Sequence, residues 1–375
     1  MASLTGLRVG RTCVPSRIVA GAATIWRVIA ARATAEGTSR FCDRFPEAAE
    51  AGHFRQLGGL WVSSIGLGTY LGEPTDAVDR AYEEAILEAL AHGCNLFDCS
   101  VNYRHQRSER ALGRALARAF DEGLAERDEV VVSTKADAGL PGPGDLGVRD
   151  LSVRDLGASH SLEIGHLQDQ LSRSRDNLGL ESIDLYYLDN PEAQLAEIDR
   201  EEIDSRLGQA FDWLESETRG GAIGSYGVAT WEGLRVAPDA RQALSLEAMH
   251  RLAGTGFAAV QAPINRAMPE ALVAPCQWIG DVVVPLAVAA RRFGVALVAS
   301  ASILQGRLSS VEGSLGERLG VGLTVAQRAL QFTRSLPGVT AALVGMSAVG
   351  HVRENLALAT MTPVDPRLIQ EMFAH

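Results

Sequence analysis

Asp98 and Tyr103 stand five residues apart at the end of the apolar run NLFDCS, and Lys135 ends a second run, EVVVSTK. These three residue types make one acid–base device. A tyrosine hydroxyl titrates near ~10 when unperturbed, too high to release a proton readily at neutral pH. An ammonium beside it lowers that value, because positive charge favours the phenolate. A carboxylate paired with the ammonium fixes its position and keeps it charged. The tyrosine can then protonate the alkoxide formed when hydride reaches a carbonyl carbon. Any one of the three alone is more routinely a solvated or salt-bridged group. Their coincidence at two neighbouring strand ends points to a site.

The elements that must position them repeat along the chain. From about residue 57, short β-branched runs alternate with helical patterns. The strand candidates are 63–68, 95–100, 129–135, 182–188, 222–228, 257–263, 295–300 and 341–345. Helical patterns fall near 76–92, 107–120, 164–178, 201–219, 242–253, 280–293, 324–335 and 348–359. Eight strands with helices between and after them predict an α/β fold, a (β/α)8 TIM barrel, in which strand C-termini converge on one mouth. A doubly wound open sheet competes, but no GxGxxG follows the first strand. Ser108 is the expected cap of the second helix, with Ala111, Leu112, Ala115, Leu116 and Ala119 on its buried face. The barrel is expected over 51–375, with a Gly- and Asp-rich loop at about 136–163 placed to meet substrate. Within that stretch His160, with His166 just after it, reads as a solvated or core histidine first. His105 borders the pocket.

Bulk properties narrow the function classes. The 375 residues carry a net charge of −11, with 46% hydrophobic and 22% charged residues. That acidic balance argues against nucleic-acid and anionic-membrane partners. The five cysteines include no CxxC pair, which fits free thiols in a reducing, cytoplasmic setting. Cys94 and Cys99 read as small buried groups flanking a strand. Residues 1–50 form an N-terminal extension, beginning as a basic arm with six arginines against Glu36 in the first ~40 residues. Its uncharged run IVAGAATIW is far short of the ~20 residues that span a bilayer. No His/Asp/Glu set has metal-ligand spacing, so no metal is expected. Trp231 and Trp278 read as packing or loop anchors.

The segment FDCSVNYRHQRSERALGRAL (97–116) resembles the aldo-keto reductase signature, in which an Asp and a Tyr five apart precede Ser-Glu and Leu-Gly. VVSTK (131–135) is similar to that family's lysine strand, and NLGLESIDLYYLDNPE (177–192) to its fourth-strand segment. IGSYGVATW (223–231), VQAPIN (260–265) and LVGMSAVGHVRENL (343–356) resemble its later landmarks in order. The resemblance covers roughly residues 55–360. It implies a nicotinamide cofactor, NADP(H) or NAD(H), with Asp98, Tyr103, Lys135 and Asp189 as the catalytic set. It further implies cofactor contacts from Thr230 and Gln261, from Ser300, Leu304 and Gly306, and from Gly345, Ser347, His351, Glu354 and Asn355.

Three departures alter the expected chemistry. Asp189 stands where the family carries a histidine that orients the substrate carbonyl. An ionised carboxylate there repels an oxyanion, whereas a protonated one, its pKa raised by burial, donates a hydrogen bond. Relatives with a glutamate at this position reduce conjugated C=C bonds. Ala229-Thr230 replaces the family's amide-binding Ser-Asn pair, and VASASILQG (298–306) contains no aromatic to stack on a nicotinamide. Gly345 to His351 contains no Lys or Arg of the kind that grips a 2′-phosphate, and Arg353 is the nearest base in the sequence, so a preference for NADP over NAD is not implied. Two activities follow: reduction of a carbonyl or conjugated enone with Tyr103 as proton donor, or a non-redox lyase, cyclase or isomerase moving protons with Tyr103 and Asp189. A non-catalytic binding barrel would have no use for the complete set.

Overall fold

The computed structural model describes residues 18–19, 26–136, 162–309 and 316–371. The substrate-loop expectation, with His160 in it, lies outside these residues, as does Cys13. Eight parallel strands close into a barrel: β1 (Ile65–Gly68), β2 (Leu96–Asp98), β3 (Val131–Ala136), β4 (Ile183–Asp189), β5 (Ile223–Ala229), β6 (Phe257–Pro263), β7 (Ala296–Ser300) and β8 (Val339–Gly345). Each pairs with its sequence neighbours, and β8 returns to β1 with Val344 beside Leu67. This is the expected (β/α)8 architecture.

Around it run α1 (Asp76–Ala91), α2 (Arg107–Asp121), α3 (Ile164–Leu178), α4 (Arg200–Gly220), α5 (Leu246–Leu252), α6 (Leu286–Phe293), α7 (Val325–Arg334) and α8 (Val349–Leu356). The stripe Ala111, Leu112, Ala115, Leu116 and Ala119 of α2 is buried as its spacing required. It starts at Arg107, as the 107–120 span predicts, but its cap differs from expectation. Arg104, His105 and Gln106 all take positive φ, and Gln106 holds the cap position. Ser108 therefore sits inside the helix, and its hydroxyl donates to Thr69 O at 2.7 Å, tying α2 to the end of β1. The helical pattern near 280–293 is also shorter than expected. Gln277–Ile279 and Val282–Val284 pair as a hairpin, and the helix begins only after Pro285.

Side-chain alternation divides the core in two. Leu96, Val131, Leu185, Tyr187, Ala259, Val298 and Ala341 fill the barrel interior. Leu57 and Val62, from the hairpin Phe54–Leu57/Leu60–Ser63, plug its floor. Arg55 of that hairpin donates to Val339 O at 2.7 Å, at the start of β8. The outward-facing residues Phe97, Val132, Tyr186 and Val260 join the helices in the larger core. The N-terminal segment docks on the barrel through Ala33, whose amide donates to buried Asp184 at 2.7 Å. Arg127 holds the other oxygen of Asp184 at 2.9 Å. Cys42, Cys94, Cys99 and Cys276 are free and buried.

Candidate active site

The same alternation aims the site. Asp98 lies two residues beyond inward Leu96, Lys135 four beyond Val131, Asp189 two beyond Tyr187, and Gln261 two beyond Ala259. All four therefore point inward at the C-terminal mouth. Lys135 Nζ meets Asp98 Oδ2 at 2.6 Å and donates to Cys99 O at 2.9 Å. The other carboxylate oxygen accepts from Ser133 Oγ at 2.7 Å and Gln261 Nε2 at 3.1 Å. The pair is nearly sealed from water, with Lys135 1% and Asp98 4% exposed. The ammonium lies 5.1 Å from the Tyr103 ring centre and 6.0 Å from that of Tyr187. Tyr70 packs edge-on against Tyr103 at 4.9 Å.

The loop that presents Tyr103 is clamped from behind. Buried Arg104 pairs with Asp79 on α1 and donates to Glu73 O, its guanidinium 5.2 Å from the Tyr82 ring centre. These contacts hold the left-handed turn at 104–106, a conformation non-glycine residues keep only when the surroundings dictate it.

Charge states follow from burial and neighbours. Burial disfavours the Lys135 ammonium, but Asp98, Tyr103 and Asp189 outweigh it and hold the pKa above its ordinary value. Burial drives the Tyr103 hydroxyl well up, Lys135 opposes that, and Asp98 and Asp189 add to it. The lysine thus acts in the expected direction, yet the net shift is upward because desolvation is larger. Tyr103 is a neutral, proton-bearing phenol, and Lys135 limits how weak an acid it becomes.

A cleft of about 200 Å³ opens above the pair. Of the residues expected at the site, Asp98, Tyr103, Lys135, Asp189, Thr230, Gln261, Ser300 and Gly345 line it. Leu304, Gly306, Ser347, His351, Glu354 and Asn355 are not on its wall. Leu304, Gln305 and Gly306 form a left-handed loop after β7, of which Gln305 reaches the cleft. Glu354 accepts from Thr324 Oγ1 at 2.6 Å, and His351 is exposed. Asn355 is buried with an Oδ1 that has no hydrogen-bond partner. The hydroxyl of Thr230 is engaged with buried Glu192, which also accepts the amides of Trp231, Glu232 and Gly233 at 3.0–3.1 Å. Asp189 accepts from Asn190 Nδ2 at 3.2 Å.

Sequence reasoning did not single out Tyr70, Asn102 or Gln305, and it gave Trp231 an anchoring role. All four line the cleft. The position of Tyr70 just past β1, at the mouth of the barrel, was the available signal. His105, by contrast, is exposed and lies off the cleft wall.

The profile of the Aldo/keto reductase family matches residues 64–374. The chain belongs to the aldo/keto reductase family. Among solved structures, an aldo-keto reductase from Klebsiella pneumoniae in complex with NADPH superposes with a TM-score of 0.61 at 20% identity, covering 84% of this chain and 93% of that one. The holo form of an aldo-keto reductase from Bacillus halodurans gives 0.60 at 20%, over 85% and 95%. At such identity the likeness speaks to the fold. D-threo-aldose 1-dehydrogenase of a Pseudomonas species is 29% identical over 185 residues, 46% of this chain and 51% of the relative. NADP-dependent D-sorbitol-6-phosphate dehydrogenase of Malus domestica is 26% identical over 190 residues, 46% and 50%. This aldo/keto reductase family member thus spans about half the length of those two curated relatives.

Proposed function

We propose that this chain is an NAD(P)H-dependent oxidoreductase that reduces a carbonyl or conjugated enone of a small organic molecule, with Tyr103 as proton donor. The observation that carries the reading is the sealed Lys135–Asp98 pair, 2.6 Å across, lying beneath the ring of Tyr103 in one cleft. The chain's residues suit a nicotinamide cofactor. The cleft continues past Ser300 and Gln305 to Gly345, and the buried, unpartnered Oδ1 of Asn102 on its wall is an acceptor for a ligand donor. When bound, the cofactor supplies hydride to the substrate carbon. Tyr103 holds the proton that the resulting oxygen or carbon centre takes up. Lys135 lowers the cost of the phenolate left behind, and Asp98 keeps Lys135 charged and aimed. Asp189 faces the same space as the altered substrate contact.

Preference between NADP(H) and NAD(H) turns on a 2′-phosphate grip. Arg353, the first arginine after Gly345 in the sequence, is directed to Glu88 on α1 at 2.6 Å. That favours a weak distinction between the two cofactors. Titration with NADPH and NADH, followed by quenching of tryptophan fluorescence, tests the reading. Binding of at least one supports it, and binding of neither refutes it. A second reading, proton transfer without hydride by Tyr103 and Asp189, draws on the aromatic-free segment after β7 and the Asp189 substitution. Turnover of a substrate with no cofactor oxidised would select it.

A further inference from the structure

A second cavity, of about 380 Å³, lies outside the active-site cleft, between α1 and α2. Asp76, Asp79, Arg80 and Glu83 line it from one face of α1, and Arg107, Arg110 and Arg114 from one face of α2, each set at helical spacing. Its charges do not balance. Buried Asp79 is shared by three guanidiniums: Arg104 on one oxygen, with Arg107 at 2.7 Å and Arg114 at 3.4 Å on the other. Arg107 also reaches Asp76, and Arg114 reaches Glu83. Arg110 donates to the neutral amide oxygens of Asn177 and Gln106, at 2.9 and 3.1 Å. Exposed Arg80 makes no ion pair or hydrogen bond among the described residues. Five guanidiniums therefore meet three carboxylates, on a chain whose net charge is −11. Two of these bases also oppose the helix dipole. Arg107 and Arg110 lie in the first turn of α2, where anions rather than cations are stabilised. Gln106 gives that end no side-chain cap, and Glu109, the acid of the turn, is buried against Thr134 and Asn177.

From this surplus we propose that the cavity between α1 and α2 binds the dianionic phosphate group of a small phosphomonoester, at a site separate from the active-site cleft. Such a group carries close to two negative charges above its second pKa near ~6, equal and opposite to the local excess. Its terminal oxygens suit the planar donor forks of Arg80 and Arg110, and the Arg107 Nε, left without a partner, is a further donor. The site also touches the catalytic loop through one residue. Asp79 divides its charge between the cavity arginines and Arg104, whose clamp holds the left-handed turn after Tyr103. An anion that takes over Arg107 and Arg114 leaves Asp79 to Arg104 and firms that turn. Occupancy is thus relayed to the Tyr103 loop without entry into the cleft. Neither the site nor the relay rests on the reductase reading.

Calorimetric titration of the full chain at pH 8 and low ionic strength tests the site, using phenyl phosphate and benzenesulfonate, the same ring with one charge fewer. Phenyl phosphate should bind one to one and more tightly by roughly tenfold, the factor that 1.4 kcal/mol confers. Arg80→Gln and Arg110→Gln should each weaken its binding by about tenfold or more. Arg118→Gln removes the same charge from α2 outside the cavity, where Arg118 pairs with Glu84 and Glu122, and should leave the affinity within about threefold. Hydrogen–deuterium exchange across residues 101–107 should slow when phenyl phosphate is bound to the wild type. No binding, undiminished binding in Arg80→Gln or Arg110→Gln, or an equal loss in Arg118→Gln would overturn the site. Binding without slower exchange at 101–107 would overturn the relay.

Discussion

The buried Lys135–Asp98 pair makes the sharpest stability prediction. With 1% and 4% exposure and a 2.6 Å separation, neither charge can recover its hydration if the other is removed. Lys135→Met leaves a sealed carboxylate with only Ser133 and Gln261 as donors, and Asp98→Asn leaves a sealed ammonium. Each single change should cost about 3–5 kcal/mol, the range for an orphaned buried charge. The double variant leaves no charge behind and should cost only about 1–3 kcal/mol, because the desolvation penalty disappears with the pair. The coupling in the cycle is therefore expected to exceed about 3 kcal/mol.

Urea unfolding at neutral pH, followed by tryptophan fluorescence and far-ultraviolet circular dichroism together, reads all four proteins on one scale. Coincident transitions are the check that one equilibrium is being measured. The pH dependence supplies a second sign. In the wild type the folded-state pKa of Lys135 is raised, so its contribution is complete below the unfolded value of ~10.4 and is lost only above it. In Asp98→Asn, burial is opposed only by Tyr103 and Asp189, and the folded pKa should fall. If it falls below the unfolded value, the unfolded chain binds the extra proton and that variant alone gains stability from pH 7 to 9. Additive single costs, within about 0.5 kcal/mol, would refute the sealed-pair reasoning outright.

Other consequences can be checked with single variants. Asp189→His, which restores a neutral donor at the carbonyl position, should raise kcat for a neutral aldehyde by about tenfold or more; an unchanged kcat would show that Asp189 does not face the reacting oxygen. His53 is fully buried, bonded to Gly93 O at 3.2 Å and Ser64 Oγ at 3.0 Å, and burial together with Arg334 and Arg55 pulls its pKa down to about 3. Its folded pKa lies below the unfolded value, so its contribution is intact above ~6.5 and erodes by up to about 1.4 kcal/mol per pH unit as pH falls toward 3. His53→Gln should flatten that acid limb of the urea midpoint, and an unaltered limb counts against it. Gly227 on β5 faces Ala259 O, and an added methyl would also meet the Tyr187 ring at 2.9 Å. Gly227→Ala should cost about 1–3 kcal/mol in the same urea assay, and a neutral result would mean that the strands part there without penalty.

What the chain alone determined is whatever rests on local periodicity. A two-residue alternation from Leu96 and Val131 is enough to send Asp98 and Lys135 to the inside of a strand, and a helical stripe is enough to bury one face of α2. The β/α alternation placed both residues at strand ends, where a closed barrel converges. The limits of local reading appear wherever distant segments set the geometry. Ser108 is a good cap by type, but the Arg104–Asp79 clamp imposes a left-handed turn before it and draws the hydroxyl to Thr69 instead. Val282–Val284 fits a helical pattern equally well, yet pairing with Gln277–Ile279 makes it a hairpin. Tyr70, Asn102, Trp231 and Gln305 meet around one cleft although they leave four different strands. The sign of the Tyr103 shift was likewise invisible, because the neighbouring lysine can be guessed from residue types while the depth of burial that overrides it exists only in the folded barrel.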